Sequence, residues 1–352
     1  MKPVATLTGP RERAPRWWVA AGGLLVALVI LEILFRLEGT RVCLDPASAE
    51  LLSPDPEVGW TFTPGATLRA GACRQGAVGD AWTATVTVNQ QGLADQEWPY
   101  EKRPGEVRVL VLGDERVDGV GLDRADRLSV RLSHLADRVR GARVSGINAA
   151  IPGYGLAEKL RWLQRRGLRY SPDVVLLVID PLRDLAGTEA PPPTFPPTLP
   201  PASGLVAWSE VGRWLGGRER RATETSAQRS AAAPDGATTT DASRAKLLAG
   251  IAELAKASRD AGAGFAVLVA PPCPPTPYDS ALCDAISQVA PCTDPRSSFE
   301  EVQRARGDSV ELCVEGTGRW ARDAHFLASH QVWSLFDHEA LWPPTVRRNH
   351  RL

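Results

Sequence analysis

Four side chains in this sequence have the chemistry of a small hydrolytic or acid–base site. Asp323 and His325 lie two residues apart, and Glu115 and Asp180 each follow a short apolar run. An imidazole beside a carboxylate can act as general base for a nucleophile, and two carboxylates can serve as acid and base in glycosidic chemistry. Glu115, Asp180 and His325 could instead bind a divalent cation. Asp323 and His325 could also be only a satisfied loop pair.

A repeated strand–helix pattern positions these residues. Short apolar, β-branched runs predict five strands, at 106–113, 143–148, 173–180, 264–272 and 309–314. Helical periodicity predicts helices from about 128, at 155–168, at 242–261 and from about 328. This alternation predicts an α/β fold with a parallel sheet, helices on both faces and right-handed crossovers. Such sheets place their sites at the carboxyl ends of the strands.

An apolar run precedes these elements. Residues 17–35, WWVAAGGLLVALVILEILF, contain one ionisable group and are almost long enough to cross a hydrocarbon core. No small-x-small cleavage site follows, so we expect an uncleaved transmembrane anchor rather than a signal peptide. Basic residues lie before the run, at Lys2, Arg11, Arg13 and Arg16. The positive-inside rule therefore predicts a cytoplasmic tail at 1–16 and translocation of the rest.

The cysteines and the charge balance restrict the possible compartment and partners. All six cysteines follow the apolar run, at Cys43, Cys73, Cys273, Cys283, Cys292 and Cys313. An even number on the translocated side predicts disulfide bonds in an oxidising space, and the sequence does not choose the pairing. Their spacings match no zinc module, and we expect no metal and no cofactor. The 41 Lys and Arg residues balance the 41 Asp and Glu residues, so no basic excess indicates nucleic acid as partner.

Two segments depart from the alternating pattern. Residues 36–105 have few helix signals, and the alternating run AWTATVTV at 81–88 predicts a strand, so we expect a β-rich lead-in there. Residues 186–243 contain PPPTFPPTLPP followed by an Ala/Thr/Ser-rich stretch. Because this composition buries little apolar surface, we expect a disordered insertion within a main domain at 106–352.

Four blocks at the predicted strand ends resemble the SGNH/GDSL hydrolase superfamily. VLVLGDERVDGVGL (109–122) is similar to the block in which Gly-Asp-Ser carries the nucleophile, and INAAIPGYG (147–155) is similar to the second block. VVLLVIDPLRDL (174–185) and Asp323-Ala324-His325 resemble the third and last blocks. In the lead-in, VGWTFTPGA (58–66) and VNQQGL (88–93) resemble the region ahead of the catalytic domain in membrane-anchored bacterial members.

The resemblance implies a three-layer α/β/α, flavodoxin-like domain in the periplasm, anchored to the bacterial inner membrane by a single helix. The catalytic positions would be Glu115, Asp323 and His325. Ala150 and Asp180 stand where the family has its oxyanion-hole Gly and Asn. Four further positions would be structural at the site, namely Gly113, Asp114, Asn148 and Gly153.

The departures from the family pattern bear most on function. Glu115 replaces the serine, so the hydroxyl that ester cleavage requires is missing. Losing one oxyanion donor alone costs about 2.7 to 4 kcal/mol of barrier. We therefore expect a binding or scaffolding protein without serine esterase activity, with an envelope polysaccharide or acylated glycan as partner, as the resemblance implies.

Two enzymatic alternatives remain open from the sequence. One is an acyl-ester hydrolase, acetyltransferase or deacetylase of the SGNH type with an altered site. The other is carboxylate chemistry that uses Glu115 and Asp180. If both carboxylates lie beside His325, we expect them to favour the imidazolium and raise the pKa of His325.

Overall fold

The computed structural model describes residues 22–23, 26–27, 29–30, 41–44, 52–74, 77–186, 241–273, 275–314 and 318–347. The predicted anchor at 17–35 and the predicted insertion at 186–243 lie almost wholly outside these ranges. Within the described ranges, no helix has both the length and the apolar character needed to cross a membrane.

The lead-in consists of antiparallel strands. These are β1 (Arg41–Leu44), β2 (Leu52–Asp55), β3 (Gly59–Phe62), β4 (Thr67–Arg74) and β5 (Ala77–Thr87). Strands β1, β4 and β5 form one sheet, and β2 and β3 form a hairpin. The strand predicted at 81–88 corresponds to the second half of β5.

The main sheet is parallel and five-stranded. Its strands are β6 (Val107–Gly113), β7 (Val144–Ala150), β8 (Val174–Ile179), β9 (Gly264–Val269) and β10 (Cys292–Thr293). The order across the sheet is β10-β9-β8-β6-β7, which is the flavodoxin-like order of a doubly wound fold. Every residue of β6 and β8 is buried, which explains why these strands are continuous apolar runs.

Helices cover both faces of this sheet, so the predicted three-layer α/β architecture is confirmed. The helices are α1 (Leu128–Arg140), α2 (Leu156–Arg165), α3 (Arg183–Ala186), α4 (Asp241–Asp260), α5 (Leu282–Ser287), α6 (Arg296–Arg306), α7 (Arg322–His338) and α8 (Pro344–Arg347). Helices α2 and α4 and the β2–β3 hairpin share one apolar core, and α1, α6 and α7 share the other.

The strand predicted at 309–314 is wrong. Val310 and Leu312 are buried in the core shared with α1 and α7, Val314 is also buried, and the only β-bridge of the segment is an isolated one from Cys313 to Trp320. The fifth strand is the two-residue β10, which pairs with β9. The backbone of the predicted segment pairs with the residues that lead into α7 instead of with the sheet, because Leu312 accepts the Ala321 N–H (2.9 Å) and Val314 donates to the Arg319 carbonyl (2.9 Å).

The start predicted for the last helix is also wrong, because α7 begins at Arg322 rather than near Ala328. Ala324, His325 and Ala328 form one buried stripe of this helix. The polar Asp323 and His325 interrupt the apolar pattern of the first turn, which obscures the start of the helix in the sequence.

Two of the expected disulfide bonds are present, Cys273–Cys313 and Cys283–Cys292. The second joins α5 to β10 with a sequence separation of 9. The side chains of Cys43 and Cys73 lie outside the described part of the chain.

Candidate functional site

Glu115 lies just after β6, separated from it by Asp114, and both oxygens of its carboxylate accept hydrogen bonds. Arg183 donates from Nη1 to Oε2 (2.8 Å) and from Nη2 to Oε1, and the Gly153 N–H donates to Oε2 (3.0 Å). Burial acts to raise the pKa of Glu115, but the charge and hydrogen bonds of Arg183 hold it well below its usual range. Gly113 makes the turn possible, because a Cβ there would lie 2.4 Å from Val117 Cγ2.

Asp114 is the buried neighbour of this ion pair. Its Oδ1 accepts the Arg116 N–H (3.0 Å), and its Oδ2 lies 3.5 Å from Arg183 Nη1. Burial and the adjacent charge of Glu115 raise the pKa of Asp114 to about 6, although three nearby cations oppose the rise. Asp114 therefore holds a proton in a pH range in which an ordinary aspartate has lost it.

Asp180 follows β8 directly and accepts hydrogen bonds instead of donating one. Its Oδ1 accepts the N–H groups of Leu182 (2.9 Å) and Arg183 (3.1 Å), and its Oδ2 forms a buried ion pair with Arg116. Both oxygens of the Asp180 carboxylate are thus occupied by donors of the protein itself.

A second buried ion pair lies under Asp180. Asp184 Oδ2 accepts the Asp180 N–H (2.9 Å) and Lys159 Nζ (2.9 Å), and Lys159 also donates to the Val178 carbonyl (3.0 Å). Both charged side chains are fully buried. Burial raises the pKa of Asp184, while the charge of Lys159 opposes the rise.

The cations of this network were missed by the sequence reasoning. Five carboxylates and four cations form the network, namely Asp114, Glu115, Asp118, Asp180 and Asp184 with Arg116, Lys159, Arg183 and Arg319. The only signal in the sequence is the mixture of charges after the two buried strands, in DERVD and DPLRD. Lys159 lies on α2 and Arg319 precedes α7, and neither has a local signal.

His325 lies in the first turn of α7 and is fully buried. Its Nδ1 accepts the Leu128 N–H (3.0 Å), and its ring packs edge-to-face on Trp320, with centroids 5.9 Å apart. In the described part of the chain, Nε2 has no hydrogen-bond partner. Burial lowers the pKa of His325 to about 3, and the charges of Arg127 and Arg131 add to the effect.

The expectation that two carboxylates raise the pKa of His325 is wrong. Glu115 and Asp180 form ion pairs with Arg183 and Arg116, and neither carboxylate is among the groups that shift the pKa of His325. The cationic form of the ring loses its hydration on burial and gains no anion in return, so the pKa falls.

Asp323 is not paired with His325. Its Oδ2 accepts the Glu311 N–H (3.0 Å), and its Oδ1 lies 3.8 Å from Arg322 Nε. The Nδ1 atom that a triad aspartate would orient instead faces the backbone of α1. The structure therefore places the two residues in one helical turn without joining their side chains.

The second block supplies the neighbouring loop. Asn148 is buried, and its Nδ2 donates to the Asp118 carbonyl (2.8 Å), which fixes the turn after β6. Its Oδ1 accepts the Ala150 N–H (3.2 Å), so that N–H already has a partner. Gly153, with φ of 80°, directs its N–H at Glu115.

The lead-in holds this loop in place. Trp60 Nε1 donates to the Pro152 carbonyl (2.9 Å), and Tyr154 Oη donates to the Trp60 carbonyl (2.6 Å). The two rings meet edge-to-face with centroids 5.2 Å apart. Gly153 lies between the two loop residues that make these contacts.

A divalent cation site made of Glu115, Asp180 and His325 is not assembled. Over the described ranges, no group of three or more His, Cys, Asp or Glu side chains is arranged to hold a metal ion. Glu115 and Asp180 direct their oxygens at arginines instead.

No protein-family model matches the chain, and no curated protein matches it by sequence. Among solved structures, it is similar to the esterase EstA from Pseudoalteromonas sp., with 16% identity, a TM-score of 0.39 and coverage of 66% of this chain and 98% of that one. It is also similar to a catalytic mutant of Axe2, an acetylxylan esterase from Geobacillus stearothermophilus, with 11% identity, a TM-score of 0.42 and coverage of 65% of this chain and 93% of that one. A third is TesA, with 16% identity, a TM-score of 0.37 and coverage of 66% and 98%.

Proposed function

We propose that this protein is a membrane-anchored, periplasmic relative of the SGNH hydrolases that binds cell-envelope polysaccharide and has no serine esterase activity. The observation that carries the proposal is the state of Glu115, whose two oxygens are held by Arg183 and by the Gly153 N–H. Ester cleavage needs a hydroxyl at this position and free donors around it. Here a carboxylate occupies the position and takes up the donors.

The state of His325 also argues against acyl transfer. A triad histidine donates from Nδ1 to a carboxylate and takes the proton of the nucleophile on Nε2. In this protein Nδ1 is the acceptor for the Leu128 N–H, so the neutral ring carries its hydrogen on Nε2. A histidine in this tautomer has no free lone pair with which to activate a nucleophile.

The oxyanion side lacks free donors as well. The Ala150 N–H is bonded to Asn148, and Asp180 is an acceptor bonded to Arg116 and to two backbone N–H groups. Carboxylate chemistry at Glu115 and Asp180 is also disfavoured, because their oxygens are already held by arginines. Glu115, whose pKa is lowered, is held ionised by Arg183 and cannot act as an acid at neutral pH.

The proposed location rests on the apolar run at 17–35 and the basic residues before it. The disulfide bonds Cys273–Cys313 and Cys283–Cys292 agree with an oxidising compartment. The proposed ligand class, envelope polysaccharide, rests on the resemblance of the lead-in and the four blocks to membrane-anchored bacterial members.

Hydrolysis of p-nitrophenyl acetate tests the absence of esterase activity. We expect the full-length protein in detergent micelles to show no turnover above buffer. Glu115→Ser should also be inactive, because the histidine tautomer and Asp180 are unchanged. Wild-type turnover that is lost in His325→Ala would contradict the proposal. Circular dichroism of each variant checks that it is folded.

Reporter fusions test the proposed location, and a binding assay tests the proposed binding of envelope polysaccharide. A C-terminal reporter active only in the periplasm should give signal, and activity of one that works only in the cytoplasm would overturn the proposed location. Isolated envelope polysaccharide should co-sediment with the full-length protein and not with a matched membrane protein of unrelated fold. No co-sedimentation would contradict the binding role.

A further inference from the structure

A groove of about 610 Å³ runs between α2 and α4, outside the ion network at the strand ends. Its apolar lining includes the buried Leu156, the partly buried Leu160 and the short side chain of Ala249. Gly250 allows the two helices to approach, because a Cβ there would lie 3.0 Å from Leu156 Cδ1. The close approach leaves a shallow trough that is open to solvent.

Three exposed cations form the rim of this groove. Arg161 and Arg165 are four residues apart on α2, and Lys246 faces them from α4. Within the described part of the chain, none of the three forms an ion pair. Like charges at this spacing destabilise a helix, so the sequence retains an unfavourable pair that a bound anion would relieve.

The neighbouring Arg166, unlike the three rim cations, forms ion pairs with carboxylates of the lead-in. It donates to Asp55 Oδ2 (2.5 Å) and lies 3.4 Å from Glu57. Glu57 also lines the groove and is thus partly neutralised by Arg166. Glu253 is the other acidic residue of the lining, so three cations face two acids and the lining carries an excess of one positive charge. Gln164 adds an amide to the same rim.

We propose that this groove binds a linear polysaccharide that carries carboxylate groups, a polyuronate. The inference rests on the proposed function and names its ligand class. The guanidinium fork matches a carboxylate in two hydrogen bonds, and Arg161 and Arg165 offer two such forks one helical turn apart. A polyanion with repeated carboxylates can engage both at once.

The groove suits a hydrated polymer better than an amphipathic peptide helix. A docked helix needs pockets or patches for large apolar anchors. Leu156 is buried, and the large exposed hydrophobic residues of the folded domain, Val139, Leu182 and Phe326, lie outside the lining. Six of the eleven lining residues are polar or charged, which favours a ligand recognised by charge and hydrogen bonds.

Titration of the full-length protein in phosphatidylcholine nanodiscs with fluorescent oligogalacturonate tests the proposal. We expect saturable binding that weakens with added salt, no comparable binding of neutral dextran, and far weaker binding of free galacturonate. Arg161→Gln with Arg165→Gln should weaken oligogalacturonate binding about tenfold, because two exposed charge-assisted contacts are lost.

The matched control is Arg138→Gln with Arg304→Gln, which removes two exposed positive charges from α1 and α6. This control should bind as the wild type does, and equal weakening in both double variants would show nonspecific attraction and overturn the proposal. Unchanged thermal unfolding of both double variants excludes misfolding.

Two further outcomes separate the groove from the proposed function. If the protein co-sediments with envelope polysaccharide but does not bind oligogalacturonate, the proposed function stands and the groove proposal fails. If neither binds, both fail. Binding to phosphatidylglycerol vesicles that is lost in the α2 double variant, without binding of oligogalacturonate, would identify a lipid surface as the partner and overturn the polysaccharide.

Discussion

Trp60 of the lead-in and Tyr154 of the second-block loop are joined by a hydrogen bond of 2.6 Å from the Tyr154 hydroxyl to the Trp60 carbonyl. Trp60 returns a hydrogen bond to the same loop, from Nε1 to the Pro152 carbonyl. Because Gly153 lies between Pro152 and Tyr154 and donates to Glu115, the lead-in helps to set the position of a donor at the candidate site.

Tyr154→Phe tests this link. We expect it to lower the free energy of unfolding by about 1 to 3 kcal/mol, because the buried Trp60 carbonyl loses its partner while the ring packing is kept. Urea unfolding monitored by fluorescence gives the value. Phe326→Leu, at an exposed aromatic ring, should change stability much less. Equal losses in the two variants would refute the link.

The ion pair of Glu115 and Arg183 is tested by a double-mutant cycle. Arg183→Met should cost more stability than Glu115→Gln, because it leaves a partly buried carboxylate beside Asp114 without its cation. We expect a coupling free energy of about 1 to 2 kcal/mol, limited by the 29% exposure of the Arg183 side chain. Additive effects would mean that the pair contributes nothing specific.

Asp114 should leave a signature in the pH dependence of stability. Its folded-state pKa of about 6 exceeds its ordinary value of 3.8, so between these values the folded state holds a proton that the unfolded state has released. Its contribution to stability is therefore largest below the lower value and falls as the pH rises towards 6.

Asp114→Asn should remove this fall. The difference in unfolding free energy between wild type and variant, measured by urea unfolding at several pH values, isolates the group from other titrations. We expect the wild type to lose stability relative to the variant as the pH rises from about 4 to about 6. A pH-independent difference would show that the pKa of Asp114 is not raised.

His325 should behave as a neutral, buried ring. With its pKa lowered to about 3, its ¹⁵N signals should not titrate between about pH 5 and 8 and should show the tautomer with hydrogen on Nε2. The exposed His338 provides a solvent-accessible reference in the same spectra. A His325 ring that is protonated at neutral pH would indicate a nearby anion and would contradict the lowered pKa.

The lowered pKa of His325 also predicts that the fold becomes less stable at acidic pH. As the pH falls below 6.5, the unfolded chain takes up a proton that the folded chain excludes until about pH 3, so stability decreases on acidification. His325→Phe, if folded, should lack this contribution in urea unfolding across the same range.

The two disulfide bonds should contribute different amounts to the free energy of unfolding. They close loops with sequence separations of 40 (Cys273–Cys313) and 9 (Cys283–Cys292). Loop-closure entropy predicts about 3.9 kcal/mol for the first and about 2.6 kcal/mol for the second. Urea unfolding of the two double Cys→Ala variants measures these losses. The reverse order would indicate that local packing around β10 outweighs chain entropy.

The fold could be predicted largely from local patterns. Strands β6 and β8 are buried on both faces. A strand in this position needs apolar residues at nearly every position, so it is recognisable in the sequence as a continuous apolar run. The segment 309–314 alternates buried and exposed residues as a strand does, but its backbone pairs with residues 319–323 and not with a strand of the sheet. An alternation of apolar and polar residues indicates which side chains are buried, but it does not indicate which segment the backbone pairs with.

The chemistry of the site divides in the same way. The sequence by itself determined that Glu115 and Asp180 each follow a short apolar run typical of a buried strand. Only the tertiary structure decided that Arg183, 68 residues from Glu115, neutralises it, and that Leu128, 197 residues from His325, sets the tautomer of the ring. The physical reason is that a charge or a hydrogen bond acts over a few ångströms, whatever the separation along the chain, and only folding sets that distance.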